Sequence, residues 1–458
     1  MRRIASVLLL ALAPLAAAAE PAAFPGAVGY GRGATGWRGG AVITVTTLAD
    51  QGPGSLRACV QRTGPRVCLF GISGTIVLDS PLWLGSDLYV AGQTAPGEGI
   101  QIRLGASRIT PVIVKDANDV VIRFLKIRPG APVEPGPSVD AVTLENARRV
   151  YLDRLSLMYA TDETFNIHVS GGEASDITLA RSILAWGLDK ANHPKGRHSK
   201  GALICSGEGT PVDCGRITLW RNLFAHNRDR NPDVKATGIG PVDVLNNVFY
   251  DPISQFGEFY NHYSGARISY AGNLALTGPS TMRPRPEAVQ AFALFPGHTL
   301  AIYAAGNLAL DRGRCSRRVP FAVLNREAET RLLPEPPAPF SAPLVPAAEL
   351  LETVLAGAGD RTPQRGPDAL DRQLAAEVAE CRGRVVNAAS EAGGWPDLPE
   401  RRGPPDSDGD GLPDGWEAGR AGLDPAAASD VWAADPVSGL SYIEAWLAEL
   451  AGDGEAQP

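Results

Sequence analysis

One short pattern of apolar residues recurs along this chain and limits the folds open to it more than any other feature. The pattern reads apolar, any, apolar, any, any, polar or Leu, any, apolar. Its full copies begin at Val120, Val150, Ile177, Ile217, Val242, Ile268 and Ile302, and a fragment of it begins at Leu88. Alternation with a period of two predicts strands with one buried face and excludes helical repeats. Because the full copies begin 25 to 40 residues apart, they predict a solenoid with connections of variable length.

The predicted fold class is therefore all-β, a right-handed single-stranded parallel β-helix in which each copy forms part of one coil and long loops form a cleft. A column of asparagines supports this fold: the same position in successive copies is occupied by Asn222, Asn247, Asn273 and Asn307. We expect these amides to stack at an inner turn and to hydrogen-bond along the axis, as structural residues and not as ligands. A β-sandwich is the alternative, and the sequential register and the asparagine column count against it.

The N-terminal segment predicts export. Arg2 and Arg3 precede an apolar stretch at 4–15 and a run of small residues, the layout of a secretory signal peptide cleaved near Ala19. The stretch is too short for a membrane anchor, the alternative interpretation, and no other transmembrane candidate follows. We therefore predict a secreted protein, extracellular or periplasmic, and expect it to be a monomer. The net charge of −7 counts against nucleic acid as a partner.

Four segments are predicted along the chain. They are a signal peptide at 1–19, a β-helix domain at 20–325, a Pro-rich linker with a short helical extension docking on the β-helix at 326–403, and an EF-hand-like calcium-binding segment with a short helix at 404–458. Because export permits disulfides, sequential pairing of the six cysteines predicts Cys59–Cys68, Cys205–Cys214 and Cys315–Cys381. This is one of fifteen possible connectivities. Zinc is a weak alternative, because no CxxC spacing occurs.

Acidic and amide side chains sit at matching ends of neighbouring copies. Asp140 precedes the strand around Val142, and Asp162 and Asn166 follow the next copy. Oxygen ligands from adjacent coils can converge on Ca²⁺, which takes six to eight of them. The alternative is that these residues cap turns, as Asp and Asn often do at strand ends.

A second acidic motif, DSDGDGLPDGWE, lies near the C-terminus. The EF-hand ligand positions 1, 3, 5, 9 and 12 are occupied by Asp406, Asp408, Asp410, Asp414 and Glu417, with Gly411 at the turn position 6. An acidic linker is the alternative, but random acidity would not match every ligand position. The motif therefore predicts a C-terminal Ca²⁺ site. No base or nucleophile is evident in it, so we expect a structural or attachment role.

The stretch from Lys190 to Lys235 is basic although the whole protein is acidic. It contains nine Lys or Arg and three of the six histidines, but four carboxylates. A basic stretch on an acidic protein predicts a specific anionic ligand. The alternative is a solvated face whose arginines pair with Asp229 and Asp233. The candidate binding residues are Lys190, Lys195, His198, Lys200, Arg228, Arg230 and Lys235.

Several stretches taken together resemble the pectate lyase family, specifically the secreted bacterial branch of the first polysaccharide lyase family. They are AFPGAVGYGRGATGWRGG, GPGSLRACV, FGISGTIVL, VAGQTAPGEGI, SLMYATDETFNI, KGRHSKG and HNRDRNP, and they span roughly residues 24–310. The segment at about 350–390 is similar to the C-terminal extension of that branch. The fold of the family is a right-handed parallel β-helix, in agreement with the repeat.

The resemblance implies cleavage of polygalacturonate (pectate) by β-elimination, which leaves 4,5-unsaturated oligogalacturonides. In the family, Ca²⁺ bridges the enzyme and the substrate uronates and acidifies the proton at C5. Asp140, Asp162 and Asn166 match the calcium-ligand positions. Ser138 stands where a further acidic ligand is usual, and Asn166 stands where a carboxylate is commoner. We therefore expect Ca²⁺ to bind weakly until substrate carboxylates complete its shell.

The resemblance also implies roles within the basic stretch. Arg230, in the Arg-x-Pro turn, matches the catalytic arginine, and Lys235 matches a second cation. Lys200 is the first choice for a substrate-binding lysine, and Lys195 is the second. Because a guanidinium is almost always protonated, Arg230 acts as the base if it is deprotonated and otherwise stabilises an enolate-like intermediate. The full predicted substrate-binding set is Lys235, Lys200, Lys195, His198 and Arg228.

Two other functions remain to be weighed against a lyase. A β-helix glycoside hydrolase needs paired carboxylates that flank the scissile bond, and the sequence has no adjacent Asp pair near a Gly-His-Gly or Arg-Ile-Lys set. A non-catalytic β-helix that binds acidic polysaccharide or cell surfaces is the second alternative. The departures from the calcium-ligand pattern at Ser138 and Asn166 keep that alternative open.

Overall fold

Three sheets lie along one axis and form a parallel β-helix, which confirms the predicted fold class. The computed structural model describes residues 21–132, 138–209, 212–282, 284–312 and 318–454. Successive strands of the chain pass from the first sheet to the third, then to the second, and back to the first. The predicted signal peptide at 1–19 lies outside the described residues.

In the described part of the chain, the first sheet has ten strands, which pair in the order in which they occur in the sequence. Each strand pairs with its neighbour in parallel. The strands are Ala41–Val45, Arg66–Phe70, Leu88–Ala91, Asn118–Arg123, Arg148–Asp153, Glu173–Ala180, Asp213–Trp220, Val242–Leu245, Ala266–Ala271 and Leu300–Ala305.

The second sheet has eight strands among the described residues, also parallel and in chain order. They are Leu82–Leu84, Val112–Lys115, Val142–Glu145, Glu163–Ser170, Lys200–Glu208, Asp233–Val234, Gly257–Tyr260 and Val289–Phe292. This sheet carries the candidate active site.

The third sheet has eleven strands, and only its two edge pairings are antiparallel among those described. From one edge to the other its strands are Arg401–Arg402, Ile72–Leu78, Ile100–Leu104, Lys126–Ile127, Ser156–Met158, Ile183–Ala185, Leu223–Ala225, Val248–Tyr250, Leu274–Leu276, Leu308–Asp311 and Val319–Pro320. The edge strand Arg401–Arg402 comes from the C-terminal part of the chain and covers Ile72–Leu78.

The pairing register of the first sheet confirms the sequence repeat. Val150 lies beside Val120, and Ile177 lies beside Val150. The same alignment continues through the copies that begin at Ile217, Val242, Ile268 and Ile302, and back to the fragment at Leu88. Because the apolar residues of each copy point into the helix, stacking the copies builds one continuous buried core.

The asparagine column is also confirmed as structural. The amide of Asn222 donates to Asn247, that of Asn247 to Asn273, and that of Asn273 to Asn307, at 3.0 to 3.2 Å. Each acceptor oxygen also receives the backbone N–H of the preceding asparagine. The column therefore satisfies turn N–H groups that are buried away from water.

The helices lie outside the coils. The α-helices are Leu56–Val60, Arg326–Glu329, Leu350–Gly357, Ala369–Ala379, Asp414–Glu417 and Tyr442–Ala451, and the 3₁₀ helices are Tyr30–Gly33, Gly92–Thr94 and Ala389–Ala392. None of the helices in the described ranges is long and apolar enough to cross a bilayer.

The C-terminal helices dock on two faces of the β-helix. Leu350–Gly357 and Ala369–Ala379 pack their apolar residues on the third sheet, where Arg128 forms buried ion pairs with Asp368 and Asp371. The helix Tyr442–Ala451 packs in a separate apolar cluster with the first sheet and the N-terminal segment.

Two of the predicted disulfides are confirmed: Cys59–Cys68 and Cys205–Cys214. The third predicted pair, Cys315–Cys381, includes Cys315, which lies outside the described residues.

Candidate active site

The candidate active site lies where consecutive strands of the second sheet begin. Asp140 comes two residues before Val142–Glu145, and Asp162 directly precedes Glu163–Ser170. Lys200 begins the next strand, and Arg230 comes three residues before Asp233–Val234. Because parallel strands stack in register, residues that are far apart in the sequence meet at this edge.

Three carboxylates form a cluster at this edge. Oxygen atoms of Asp140, Asp162 and Glu163 all lie within 4.8 Å of one another. Asp140 accepts hydrogen bonds from the hydroxyl of Thr143 at 2.6 Å and from the amide of Asn166 at 3.1 Å. Asn166 therefore contacts the cluster through Asp140, while Glu163 supplies the third carboxylate.

Burial and mutual repulsion disfavour the ionised form of two carboxylates of the cluster. Burial, and then the nearby charge of Asp162, raise the pKa of Asp140 to about 7. Burial, together with Asp162 and Asp140, raises the pKa of Glu163 well above its ordinary value. Buried carboxylates this close together repel each other, so the cluster fits a cation with oxygen ligands.

Two stacked histidines face Asp162 from the loop before Lys200. The rings of His193 and His198 are 3.7 Å apart and nearly parallel. Nε2 of His198 lies 2.6 Å from Asp162, and Nε2 of His193 lies 2.9 Å from the hydroxyl of Ser138. Burial opposes ionisation of Asp162, but the hydrogen bond and charge of His198 hold its pKa below the ordinary value. His198 is thus a neighbour of the carboxylate cluster, and its predicted role in substrate binding stays a prediction.

Arg230 lies beside the carboxylate cluster. Its Nη1 contacts Glu163, and its Nε lies 3.5 Å from Asp233. The side chain is 23% exposed, so the guanidinium is accessible to solvent. Burial lowers the pKa of Arg230, but nearby carboxylates, Glu163 first, outweigh burial and hold it above the ordinary value. These carboxylates therefore favour the protonated form of the guanidinium.

Two of the three lysines predicted to bind substrate, Lys200 and Lys235, also have protein partners. Nζ of Lys200 lies 2.6 Å from Asp229, and Nζ of Lys235 lies 2.9 Å from Asp233. Lys235 also lies over the ring of Tyr260, 3.6 Å from its centroid. The positive charge of the basic stretch is thus more fully paired than its composition indicates. The side chains of Lys200 and Lys235 are still 11% and 17% exposed.

The remaining predicted binding residues form no hydrogen bond or ion pair with the three carboxylates of the cluster within the described part of the chain. Arg228 forms a two-bond ion pair with Asp189, which Arg197 also contacts at 3.2 Å. Lys195 and Lys190 are exposed on the loop between the second- and third-sheet strands of this coil. Their roles in substrate binding stay predictions.

Glu163 is the site residue that sequence reasoning missed. In the strand Glu163–Ser170, it falls at the same alternate positions as Phe165 and Ile167, which are buried. The sequence pattern therefore assigns Glu163 to the hydrophobic core and not to the site. The register supplies the missing signal, because Val142 pairs with Phe165 and Asp140 therefore stacks on Glu163. Lys200 pairs with Glu163 in the next coil. A repeat alignment extended to this sheet would have found the residue.

The C-terminal motif forms a second acidic cluster. Oxygen atoms of Asp406, Asp408 and Asp410 lie within 4.8 Å of one another. Asp406 accepts the N–H groups of Gly409 and Gly411, which close the loop. The carboxylate of Asp414 instead accepts two bonds from Ser407 at 2.7 Å.

Glu417 is the buried member of this second cluster. The residue is fully buried, and neither carboxylate oxygen has a hydrogen-bond partner among the described residues. Burial, followed by the charges of Asp410 and Asp408, raises the pKa of Glu417 to about 7. An orphaned buried carboxylate beside three aspartates fits a Ca²⁺ ion, which the sequence motif also predicts.

Comparison with known proteins gives relatives that match almost the whole chain. "Probable pectate lyase C" of Aspergillus terreus is 32% identical over 437 residues, which cover 93% of this chain and 94% of that protein. "Probable pectate lyase C" of Emericella nidulans is 30% identical over 455 residues, 98% of this chain and 97% of that protein. These relatives are fungal, so they support the family and not its bacterial branch. No protein-family model matches the chain.

Comparison with solved structures supports the fold. The crystal structure of jun a 1, the major allergen from cedar pollen, matches with a TM-score of 0.55 and 18% sequence identity. The match covers 73% of this chain and 92% of that chain. At this identity the likeness shows the fold alone.

Proposed function

Because this chain belongs to the pectate lyase family, we propose that it cleaves polygalacturonate by β-elimination and leaves 4,5-unsaturated oligogalacturonides. The single observation that carries the proposal is the contact between Arg230 and Glu163, which joins a guanidinium to a cluster of three carboxylates. Elimination at a uronate needs a base for the C5 proton, a departing 4-linked oxygen, a cation for the carboxylate and a positive group near C5. The two positive groups can be supplied at this edge of the second sheet, and solvent can take the proton.

We propose that Asp140, Asp162 and Glu163 hold a Ca²⁺ ion in the cleft. Their oxygen donors and their mutual repulsion fit a hard divalent cation. Bound there, Ca²⁺ would polarise the uronate carboxylate and acidify the proton at C5. Asn166, which donates to Asp140, holds that carboxylate in position. We keep Asn166 in the proposed site as a supporting group.

Arg230 is proposed to act at the reacting centre. Its neighbours favour the protonated guanidinium, which can stabilise the negative charge that develops when water or hydroxide from the solvent takes the C5 proton. The C4–O bond then breaks, and the 4-linked oxygen leaves with its electron pair and takes a proton from water. The alternative, a deprotonated Arg230 acting as the base, would have to overcome the carboxylates of Glu163 and Asp233. Lys200 and Lys235 flank this group and would exchange their present partners, Asp229 and Asp233, for substrate carboxylates.

The remaining parts of the chain are assigned supporting roles in the proposal. We propose that residues 1–19 direct secretion, that 20–325 form the catalytic domain, and that 326–403 dock on it. Residues 404–458 would bind a second Ca²⁺ through Asp406, Asp408, Asp410 and Glu417. The bonds between Asp414 and Ser407 point to a lesser role for Asp414 in that site.

One assay tests the proposed activity. The full-length protein is incubated with polygalacturonate, with added Ca²⁺ or with a chelator, and the ultraviolet absorbance of the unsaturated product is followed. We expect absorbance to rise only with Ca²⁺. New reducing ends without absorbance would indicate hydrolysis, and binding without any product would indicate a non-catalytic polysaccharide-binding β-helix. Either result would overturn the proposal.

A further inference from the structure

A buried carboxylate, that of Glu258, contacts the backbone of Arg230. Glu258 lies in the second-sheet strand Gly257–Tyr260 and pairs with Asp233 of the preceding coil. The residue is 6% exposed. Burial, followed by the charges of Asp233 and Asp229, raises the pKa of Glu258 to about 7. Because a buried carboxylate is costly unless its hydrogen-bond partners are well placed, the groups that bind Glu258 indicate its role.

The first of these groups is the main chain of Arg230. Its N–H donates to Oε1 of Glu258 at 3.1 Å. Its carbonyl oxygen accepts the N–H of Ala202 at 2.7 Å, from the strand Lys200–Glu208 of the preceding coil. The main chain of Arg230 is therefore held from both neighbouring coils, by a backbone group on one side and by the side chain of Glu258 on the other.

The backbone conformation of Arg230 needs such support. Its φ is +58°, in the left-handed region that residues with a Cβ rarely adopt. Backbone of this kind persists only where the surrounding structure determines it. Because the direction of a side chain follows from its backbone, the bond to Glu258 also helps to fix where the guanidinium of Arg230 points. That guanidinium contacts Glu163 of the carboxylate cluster.

The second group that binds Glu258 is the hydroxyl of Tyr260, two residues further along the same strand. The hydroxyl donates to Oε2 of Glu258 at 3.0 Å. Since side chains alternate along a strand, these two side chains lie on the same outer face, and Phe259 between them is buried in the core. Each carboxylate oxygen of Glu258 thus accepts one bond, and the two bonds fix the orientation of the carboxylate.

The ring of Tyr260 extends this arrangement to a second cation of the cleft. Nζ of Lys235 lies 3.6 Å from the centroid of the ring, a cation–π contact. Lys235 also pairs with Asp233 at 2.9 Å, and Nε of Arg230 lies 3.5 Å from the same carboxylate. Two routes therefore connect Arg230 and Lys235: one through Asp233, and one through Glu258 and Tyr260.

We propose that Glu258 and Tyr260 are positioning residues, which fix Arg230 and Lys235 relative to each other in the cleft. Glu258 acts through the backbone of Arg230. Tyr260 acts through Glu258, and it also keeps Lys235 in place when the lysine exchanges Asp233 for a substrate carboxylate. Both roles rest on the proposed function, because they concern cations that the lyase reaction would use. Positioning is important because a displacement of about 1 Å at a reacting centre can lower the rate about 10²-fold.

Steady-state kinetics on polygalacturonate with Ca²⁺ test the role of Glu258. If the full-length wild type forms no unsaturated product, the proposed function fails and the positioning roles fail with it. In an active wild type, Glu258→Ala should lower kcat about ten- to hundredfold and leave KM nearly unchanged, because Arg230 acts on charge that develops in the transition state. Wild-type kcat in Glu258→Ala would overturn the proposal although the lyase activity stands.

A conservative variant and a matched control accompany this measurement. Glu258→Gln should regain most of the activity, because its amide oxygen can accept the N–H of Arg230 and its NH₂ group can donate to Tyr260. Gln290→Ala changes the residue that pairs with Glu258 in the next coil and should keep wild-type kinetics. Equal losses in Glu258→Ala and Gln290→Ala would show a general effect of this row of the sheet and would contradict the proposal.

A double-mutant cycle distinguishes positioning from a structural role alone. In an Arg230→Ala background, Glu258→Ala should lower kcat no further, as expected for a residue that acts through Arg230. If the two losses multiply instead, Glu258 does not act through Arg230 and the proposal is wrong. Where circular dichroism shows that Glu258→Ala is misfolded, Glu258→Gln in the same two backgrounds takes its place, and its smaller loss should also vanish without Arg230.

Two substitutions separate the two contacts of Tyr260. Tyr260→Phe removes the hydroxyl and keeps the ring, so it should lower kcat a few-fold and leave KM unchanged. Tyr260→Leu removes both contacts, so it should also raise KM, because Lys235 loses the ring beside it. Equal KM values in the two variants would refute the role of Tyr260 toward Lys235, and wild-type kcat in Tyr260→Phe would refute its role toward Glu258.

Discussion

The two acidic clusters of this molecule are built in opposite ways. The C-terminal cluster takes its members from one continuous loop of twelve residues, Asp406 to Glu417. The cleft cluster takes its members from separate coils, with Asp140 beside Asp162 and Glu163 of the next one. Both contain a buried glutamate with a raised pKa. They differ in what lies next to it.

In the cleft, Glu163 contacts Arg230, a cation supplied by the protein itself. In the C-terminal loop, the carboxylate of Glu417 has no such partner among the described residues, and its nearest charges are aspartates. The cleft thus combines a proposed cation site with a guanidinium that we propose acts on substrate, whereas the loop is proposed only to bind a cation. We therefore expect changes in the cleft to alter catalysis and changes in the loop to alter stability.

The largest expected effect is that of Arg230→Ala. Loss of a positive group that stabilises developing charge should lower kcat on polygalacturonate about 10²–10³-fold. Folding should be intact, as judged by circular dichroism and Tm, and Arg402→Ala serves as the control. Retained activity in Arg230→Ala would refute the proposed role of this arginine. The cleft, like the C-terminal loop, would then be a carboxylate cluster without a catalytic cation.

The next effect is expected for Glu163→Gln. The substitution removes one charged oxygen ligand at nearly constant volume, so the Ca²⁺ concentration for half-maximal activity should rise at least about tenfold. Calorimetric titration with Ca²⁺ in the absence of substrate provides a second readout. If Asn166→Ala shifts this concentration more than Glu163→Gln does, the ligand set matched by sequence is correct and Glu163 is not the third ligand.

Changes in the C-terminal loop should affect stability and leave catalysis unchanged. In wild-type protein, Ca²⁺ at about 100 times its Kd should add about 2.7 kcal/mol to the free energy of unfolding. Glu417→Gln should lose most of this gain but should be at least as stable as wild type in chelator, because an orphaned buried charge is removed. Asp414→Asn is the matched control, and we expect it to keep more of the gain. Loss of lyase activity in Glu417→Gln would contradict the division between the two clusters.

The smallest expected effect concerns stability and the buried histidine His226, which lies between two carboxylates. Buried His226 lies 2.8 Å from Asp251 and 3.4 Å from Glu377 of the docked helix Ala369–Ala379, with Tyr250 packed against its ring. Burial alone lowers the pKa of His226, but the two carboxylates outweigh it and raise the pKa above its ordinary value. The resulting stabilisation is therefore fully present below about pH 6.5 and is lost as pH rises through the raised pKa.

Thermal unfolding at a series of pH values tests this link. His226→Gln should reduce the free energy of unfolding at pH 6 and reduce it less at pH 9, because the stabilisation belongs to the protonated histidine. The Ca²⁺ response of the C-terminal loop should not change. A difference between wild type and variant that grows with rising pH would show that the histidine is neutral when buried.

The sequence alone determined the architecture and the parts of the sites that lie close together in the chain. The copies that begin at Val120 and Val150 stack as their pattern predicts, since alternating apolar residues have one way to bury a continuous face. The asparagine column and the disulfides Cys59–Cys68 and Cys205–Cys214 could also be predicted from the sequence.

Only the tertiary structure decided which charges meet across the coils. Asp140 stacks on Glu163 because of strand register, and Lys200 and Lys235 are held by Asp229 and Asp233. Electrostatic interaction depends on distance in space and on burial, and the spacing of residues along a solenoid with loops of unequal length records neither of them.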